Sequence, residues 1–183
     1  MIIGVTGYKA SGKDTLVNFF EEKGFKHISL SDYLRKILQS KGLDVTRENL
    51  TKLGSRLREE KGDNYLASLA LKEFENSSEK IIISSIGRVA EIKELKKIPG
   101  FKLIFVDADE KIRFQRASKR QRESEHSSFE EFLKHDLIER TGGNGKFREF
   151  DNCKKESDII ISNNDSFESF KANSKKLLLS LIQ

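Results

Sequence analysis

The chain has 183 residues, 34 Lys+Arg against 29 Asp+Glu for a formal net charge of +5, and 36% hydrophobic beside 34% charged residues. This suits one domain, 1–183, with a buried core, and excludes a collagen repeat or a disordered tail. No apolar run nears the roughly 18 residues of a membrane span. The amino terminus lacks a signal-peptide pattern and Cys153 is alone, so a cytoplasmic protein without a membrane partner is expected. His27, His126 and His135 have no metal-ligand spacing with one another or with Cys153, so zinc is not expected. Basic residues are dispersed among acids, the pattern of a mixed surface rather than a nucleic-acid face. Nothing in the sequence specifies an oligomeric state.

Ile2 to Thr6 is a short β-rich run, followed by a glycine-rich turn and a helix carrying Leu16, Val17 and Phe20 up to Gly24. His27 to Leu30 predicts a second strand. Ser31 then reads as the N-cap of a helix with Leu34, Ile37 and Leu38, stopped by Gly42. From about Thr46 a helix carries Leu50, Leu53 and Leu57 to Gly62, and another follows with Leu66, Leu69 and Ala70. The runs within Lys80–Ile86 and Phe101–Val106 are nearly continuous apolar stretches, as in strands covered on both faces. Pro99 falls between a helix and the fourth strand, where it harms neither. An Arg-rich helix is predicted over about Glu110 to Arg122, then one built on Phe129, Phe132 and Leu133, then a mobile loop at the glycine-dense Thr141 to Lys146. Asp158 to Ser162 is a last strand, and Ser166 opens a terminal helix with Leu177, Leu178 and Leu181. Five strands alternating with helices predict an α/β fold with a doubly wound parallel sheet.

Gly7-Tyr8-Lys9-Ala10-Ser11-Gly12-Lys13 matches G-x-x-x-x-G-K between the first strand and the first helix, the context that motif requires. The glycines let successive N–H groups curl around one anion, the helix dipole adds positive potential, and Lys13 reaches the β and γ phosphates. The usual hydroxyl after the lysine is replaced by Asp14, with Thr15 next. Asp14 is either a magnesium ligand, directly or through water, or a carboxylate favoured by the helix N-terminus.

With the variant Gly12-Lys13-Asp14-Thr15, nearly the whole chain resembles the P-loop nucleotide kinases, the superfamily of adenylate kinase and dephospho-CoA kinase. Within it, the chain looks like deoxynucleoside monophosphate kinases and an adenylate-kinase-related group. The resemblance implies a three-layer P-loop kinase fold with five parallel strands and a small helical lid at about 115–150. It implies ATP and Mg²⁺, bound through Gly7, Lys9, Ala10, Ser11, Gly12, Lys13, Asp14 and Thr15, and a small-molecule nucleotide acceptor held by a helical region at about 31–75. Ser29 to Arg35 is similar to the family's Asp-x-x-Arg segment, which assigns Asp32 and Arg35 to the acceptor.

On the next helix Arg56 flanks the apolar stripe better than Arg58 and is the expected phosphate clamp. Ser84-Ser85-Ile86-Gly87-Arg88 ends the third strand without the carboxylate that some relatives carry there. Arg88 remains an acceptor candidate, and more metal-binding weight falls on Asp14. Arg113, Arg116 and Arg120, at i, i+3 and i+7, are expected to form one positive stripe, with Arg116 and Arg120 reaching the transferring phosphoryl group. Asn163 resembles a residue bordering the adenine. The leading expectation is γ-phosphoryl transfer to a nucleoside or deoxynucleoside monophosphate, with Lys13, Asp32, Arg116 and Arg120 catalytic. Dephospho-CoA kinase is one alternative, in which Asp32 serves as base for a hydroxyl. A P-loop ATP-binding switch or ATPase is another.

Overall fold

A computed structural model describes residues 1–74, 77–119, 128–143 and 148–182. In chain order its elements are β1 (Ile2–Gly7), α1 (Lys13–Glu21), β2 (Lys26–Ser29), α2 (Leu30–Ser40), α3 (Arg47–Lys61), α4 (Tyr65–Phe74) and β3 (Ile81–Ser84). There follow α5 (Val89–Leu95), β4 (Lys102–Asp107), α6 (Glu110–Lys119), α7 (Phe129–Thr141), α8 (Phe150–Lys155), β5 (Ile159–Ser162) and α9 (Phe167–Ile182). The strands make one parallel five-stranded sheet in the order β2-β3-β1-β4-β5. In the centre, Gly4 of β1 lies opposite Ile83 of β3 and Leu103 of β4. Parallel strands share one carboxyl edge, where ligands of open α/β sheets bind, and β1 delivers the phosphate loop to the middle of it.

Alternate side chains of a strand face opposite ways, and the isoleucine run of β3 divides on that rule. Ile81 and Ile83 pack with Ile2, Leu34, Leu66, Phe74 and Ile92 under α2 to α5. Ile82 packs with Ile3, Val5, Leu16, Phe20, Phe170 and Leu178 under α1 and α9. All three isoleucines are fully buried, each contributing about 1.5–3 kcal/mol of apolar transfer. Burial on both faces is why the run shows no polar alternation.

The expected elements are present, with corrections at their ends. The cap of α2 is Ser29 rather than Ser31: the Ser29 backbone N–H donates to Asp32 Oδ2 at 3.2 Å. Thr46 Oγ1 accepts from the Asn49 N–H at 3.1 Å and caps α3, and Ser166 Oγ does the same for Ser169 before α9. Helix α8 is an addition, since six residues with two buried positions, Phe150 and Cys153, are too short to display a period. Thr141 belongs to α7, which Gly142 closes at φ 88°. Asn144 to Lys146 of the glycine-dense segment, and the Arg-rich helix past Lys119, lie outside the described residues. No helix among the described residues is long and apolar enough to cross a membrane.

Candidate active site

The loop from Gly7 to Lys13 joins β1 to α1 and turns through left-handed backbone at Ala10 (φ 59°) and Gly12 (φ 106°). A Cβ on Gly12 would collide with the amide nitrogen of Asn163, so space as well as φ requires glycine there. Lys13 Nζ donates to the carbonyls of Gly7 (2.8 Å) and Tyr8 (2.6 Å). Burial, followed by the positive charge of Arg148, lowers its pKa to about 8. Ser11 Oγ is buried with no hydrogen-bond partner among the described residues. The Ser11 carbonyl accepts from Asn163 Nδ2 at 2.8 Å, and Asn163 Oδ1 accepts from Arg116 Nη2 at 3.3 Å. A cleft of about 190 Å³ opens over the loop, lined by Lys9, Ala10, Gly12, Lys13, Asp14, Glu139, Arg148 and Phe150. An ammonium group parked on its own loop, a neighbouring guanidinium and an unsatisfied hydroxyl are what a polyphosphate would satisfy.

Asp14 of α1 and Glu139 of α7 line the same cleft, and both act on Lys13. Among the described residues no group of three or more His, Cys, Asp or Glu gathers. Mg²⁺ needs no such cage in phosphoryl-transfer sites, where one or two carboxylates share it with phosphates and water. The donor set fits that ion.

Beyond Lys13 the carboxyl end of β3 carries a second cationic group. Arg88 is 7% exposed, with Nη1 3.3 Å from Asp63. Glu91 is 1% exposed; its Oε2 accepts from the N–H groups of Gly87 (2.8 Å) and Arg88 (3.2 Å), and its Oε1 lies 3.6 Å from Arg58. Burial pushes the Glu91 carboxyl up against the pull of those N–H groups and of Arg58. Burial likewise lowers Arg58, with Glu91 opposing. Gly87 has no side chain because Arg148 occupies that space, its Cγ 2.9 Å from where a Cβ would stand. The next residue fastens it: Glu149 N–H donates to the Gly87 carbonyl at 2.9 Å, and Glu149 Oε1 accepts from the Val89 N–H at 2.8 Å. Arg148 thereby acts on both Lys13 and Arg58, and Arg58 also feels Arg88. Lys13, Arg148, Arg58 and Arg88 form one basic track along the carboxyl edge, interleaved with Asp14, Glu139, Glu91 and Asp63.

Another charged cluster surrounds Tyr8, beside a second cleft of about 640 Å³. Its hydroxyl donates to Asp151 at 2.7 Å, and burial together with that bond pushes the phenol upward. Arg140 binds Asp151 (3.1 Å) and Glu110 (2.6 Å), and Lys154 binds Asp107 (2.7 Å). Arg113, 1% exposed, is bidentate to Asp136 and donates from Nε to the Ala108 carbonyl at 2.9 Å.

A family model of the AAA domain matches residues 6–132. A UPF0200 protein of Thermococcus kodakarensis is 31% identical over 100% of this chain and 98% of its own length. A UPF0200 protein of Methanoregula boonei is 31% identical over 98% and 97% of the two chains. The chain belongs to the UPF0200 family, built on an AAA domain. Among solved structures, shikimate kinase from Bacteroides thetaiotaomicron is similar at TM-score 0.63 and 18% identity, covering 100% of this chain and 99% of its own. Shikimate kinase from Acinetobacter baumannii, in complex with shikimate, reaches TM-score 0.57 at 14% identity over 99% and 92%. The UPF0200 chain thus shares the three-layer α/β fold of these kinases.

Within the UPF0200 fold the sequence-expected residues divide. Lys9, Ala10, Gly12, Lys13 and Asp14 line the cleft directly, Gly7 and Ser11 shape the loop, and Thr15 follows half-buried on α1. Asn163 grips the loop from outside through the Ser11 carbonyl, and Arg116 donates to Asn163. Asp32 and Arg35 pair with each other at 2.8 Å, near half exposure, and Asp32 also caps α2. Two expectations need correction. Arg56 is 70% exposed and bound to Glu60, so the inward arginine of α3 is Arg58, which follows Leu57 and stands one turn past Gly54. Arg113 belongs to no positive stripe with Arg116, because Asp136 holds it in the interior. Arg120 lies outside the described residues. Arg148, Glu91 and Glu139 escape sequence reading. Only Glu91 leaves a trace, as an acidic residue three positions into a helix that begins after a loop.

Proposed function

We propose that this chain is an ATP- and magnesium-dependent phosphotransferase that moves the γ-phosphoryl group to a nucleoside or deoxynucleoside monophosphate. The observation that carries the reading is the positive track Lys13–Arg148–Arg58–Arg88, which joins the phosphate loop to the acceptor end of β3. Two phosphorylated ligands meeting head to head need such continuity of charge, since positioning and electrostatics supply nearly all of the catalysis in phosphoryl transfer.

Lys13 leaves the carbonyls of Gly7 and Tyr8 for the β and γ phosphates, while the loop N–H groups orient them. Arg148, fastened through Glu149 to the tip of β3, faces the group in flight. Arg116 and Asn163 brace the loop from the side where the family places the base. Asp14, with Glu139 across the cleft, would hold Mg²⁺ together with the phosphates, and the ion would supply charge neutralisation. Helices α2 to α4 form the acceptor region. A phosphate acceptor is already an anionic nucleophile and needs no base. The engagement of Asp32 with Arg35 and the α2 cap favours this reading over a hydroxyl acceptor such as dephospho-CoA.

Coupled measurement of ADP over ribo- and deoxynucleoside monophosphates and dephospho-CoA tests the proposal. ADP formation that depends on a monophosphate is the expected result. Hydrolysis indifferent to every acceptor, or tight ATP binding without turnover, would point to an ATP-binding switch instead.

A further inference from the structure

The carboxyl end of β3 carries two serines before its turn, and their surroundings differ. Strand alternation sends Ile82 to the α1 face, where it packs with Leu16, Val17 and Phe20, and sends Ser84 the same way, about 7 Å nearer the carboxyl edge. Lys13 opens α1 at that edge, and β1, paired with β3 through Gly4 and Ile83, runs on from there into the phosphate loop. Ser84 therefore closes β3 on the side of the sheet where the phosphates of ATP would lie. Ser85 turns the chain away through left-handed backbone, φ 63°, and its Oγ is taken up by Ser29 Oγ at 2.8 Å. Ser84 meets a base instead. Ser29 of β2 lies opposite Ser84, and His27, on the same face two residues earlier, places Nε2 2.7 Å from Ser84 Oγ. Beyond the ring, Glu21 at the end of α1 stands 3.9 Å from Nδ1. A carboxylate on that side favours the tautomer with the proton on Nδ1, so that Nε2 accepts from the serine hydroxyl. Ser84 and His27 are both partly exposed, the imidazole by 30%. Nucleophile, base and orienting carboxylate in this sequence are the arrangement that activates a hydroxyl. Transfer to an anionic monophosphate has no use for it.

We propose that Ser84 is a self-phosphorylation site: with no acceptor bound, the γ-phosphoryl group of ATP passes to Ser84 Oγ, with His27 as general base. The bond from the γ phosphorus to the β,γ-bridging oxygen breaks, and its electron pair leaves with ADP. The Oγ–P bond forms, the hydroxyl proton moves to His27 Nε2, and Glu21 steadies the imidazolium until solvent takes the proton. The product is a phosphoserine monoester at the carboxyl edge of the sheet. A serine hydroxyl, neutral until its proton is taken, needs the base that a phosphate acceptor does not. This rests on the ATP half of the kinase reading above and is independent of which acceptor the enzyme serves.

The test treats the full chain with a phosphatase, removes the phosphatase, and adds Mg²⁺ and γ-labelled ATP without acceptor. Label is followed by intact mass and mapped by peptide fragmentation. The wild type should gain one phosphoryl group, at Ser84, at a rate per chain independent of protein concentration, because donor and nucleophile share one molecule. Ser84→Ala should take no label while its melting temperature and its binding of ATP show it folded and loaded. His27→Ala should label about 10²-fold more slowly. Added imidazole, entering where the partly exposed ring stood, should restore part of that rate, and a merely structural histidine would not be rescued in this way. Glu21→Gln should slow labelling about 3-fold, the scale of an exposed charge pair. Lys13→Met should slow labelling and monophosphate transfer alike. A wild type that phosphorylates a monophosphate but carries no phosphate on Ser84, or carries it on another residue, overturns the inference and leaves the kinase reading intact. Labelling that rises per chain with protein concentration, or that His27→Ala leaves unchanged, overturns the inference as well. Phosphoserine at Ser84 in a protein that serves no monophosphate upholds the inference and overturns the acceptor half of the kinase reading. Absence of ATP binding by the wild type overturns both.

Discussion

Two arginine-rich clusters flank the phosphate loop, and they differ in how their charge is used. Around Tyr8, each cation has carboxylate partners: Arg113 with Asp136, Arg140 with Asp151 and Glu110, Lys154 with Asp107. Along the carboxyl edge of β1 and β3, Lys13, Arg148, Arg58 and Arg88 have Glu91 buried beneath them and Asp63 at the margin. The first group ties α6, α7 and α8 to the loop. The second borders an open cleft, which Lys13 and Arg148 share with Asp14 and Glu139. Close pairing in the interior distinguishes a charge that builds the fold from one proposed to meet a ligand.

Substitutions in the two clusters should therefore fail differently. Lys13→Met should reduce phosphoryl transfer by about 10²- to 10³-fold, the scale of losing one transition-state donor, while the melting temperature stays level or rises. A stability loss comparable to the activity loss would erase the distinction between the clusters. Arg113→Met should instead cost about 3–5 kcal/mol of stability in denaturant titration, because Asp136 is left as an uncompensated buried charge. Its turnover, measured well below the unfolding transition, should change far less. Arg148→Met should lower turnover by about 10²-fold with little change in stability, placing it with Lys13 rather than with Arg113.

The pH dependence sharpens the same contrast. In the free protein Lys13 loses its proton near pH 8, and bound polyphosphate favours the charged form. Below pH 8 the lysine is already protonated and binding needs no proton; above it, ATP must draw one from solution. Affinity should fall by about fivefold between pH 8 and pH 9, with proton uptake visible as a buffer-dependent binding enthalpy. Affinity independent of pH over this interval would place the shared positive charge elsewhere. The smallest effect belongs to Arg56→Ala. An exposed pair at i, i+4 contributes little, so acceptor KM and melting temperature should both stay at wild-type values.

Legibility followed sequence distance. The phosphate loop is seven consecutive residues whose backbone does most of the binding, so Gly7 to Lys13 announce both shape and ligand. The strands were legible because burial on both faces leaves continuous apolar runs, as at Ile81 to Ile83. Arg56 and Arg58 stand about half a turn apart on α3; the apolar stripe favoured Arg56, and only Glu91, brought up from α5, shows that Arg58 is the one that turns inward. Arg113 and Arg116 looked equivalent at i, i+3, yet one meets Asp136 of α7 and the other meets Asn163 before α9. Arg148 stands far along the chain from Lys13 and Gly87, and no local pattern marks it.

The sequence by itself determined the parallel α/β sheet, the phosphate loop at its centre and the polyanion that loop is shaped to hold. These depend on periodicity and on consecutive backbone groups. Tertiary structure alone decided which cations remain available to a ligand. A charge's role depends on the carboxylate it meets and the water it loses, and both are settled by residues distant in the chain, such as Glu91 beneath Arg58 and Asp136 against Arg113.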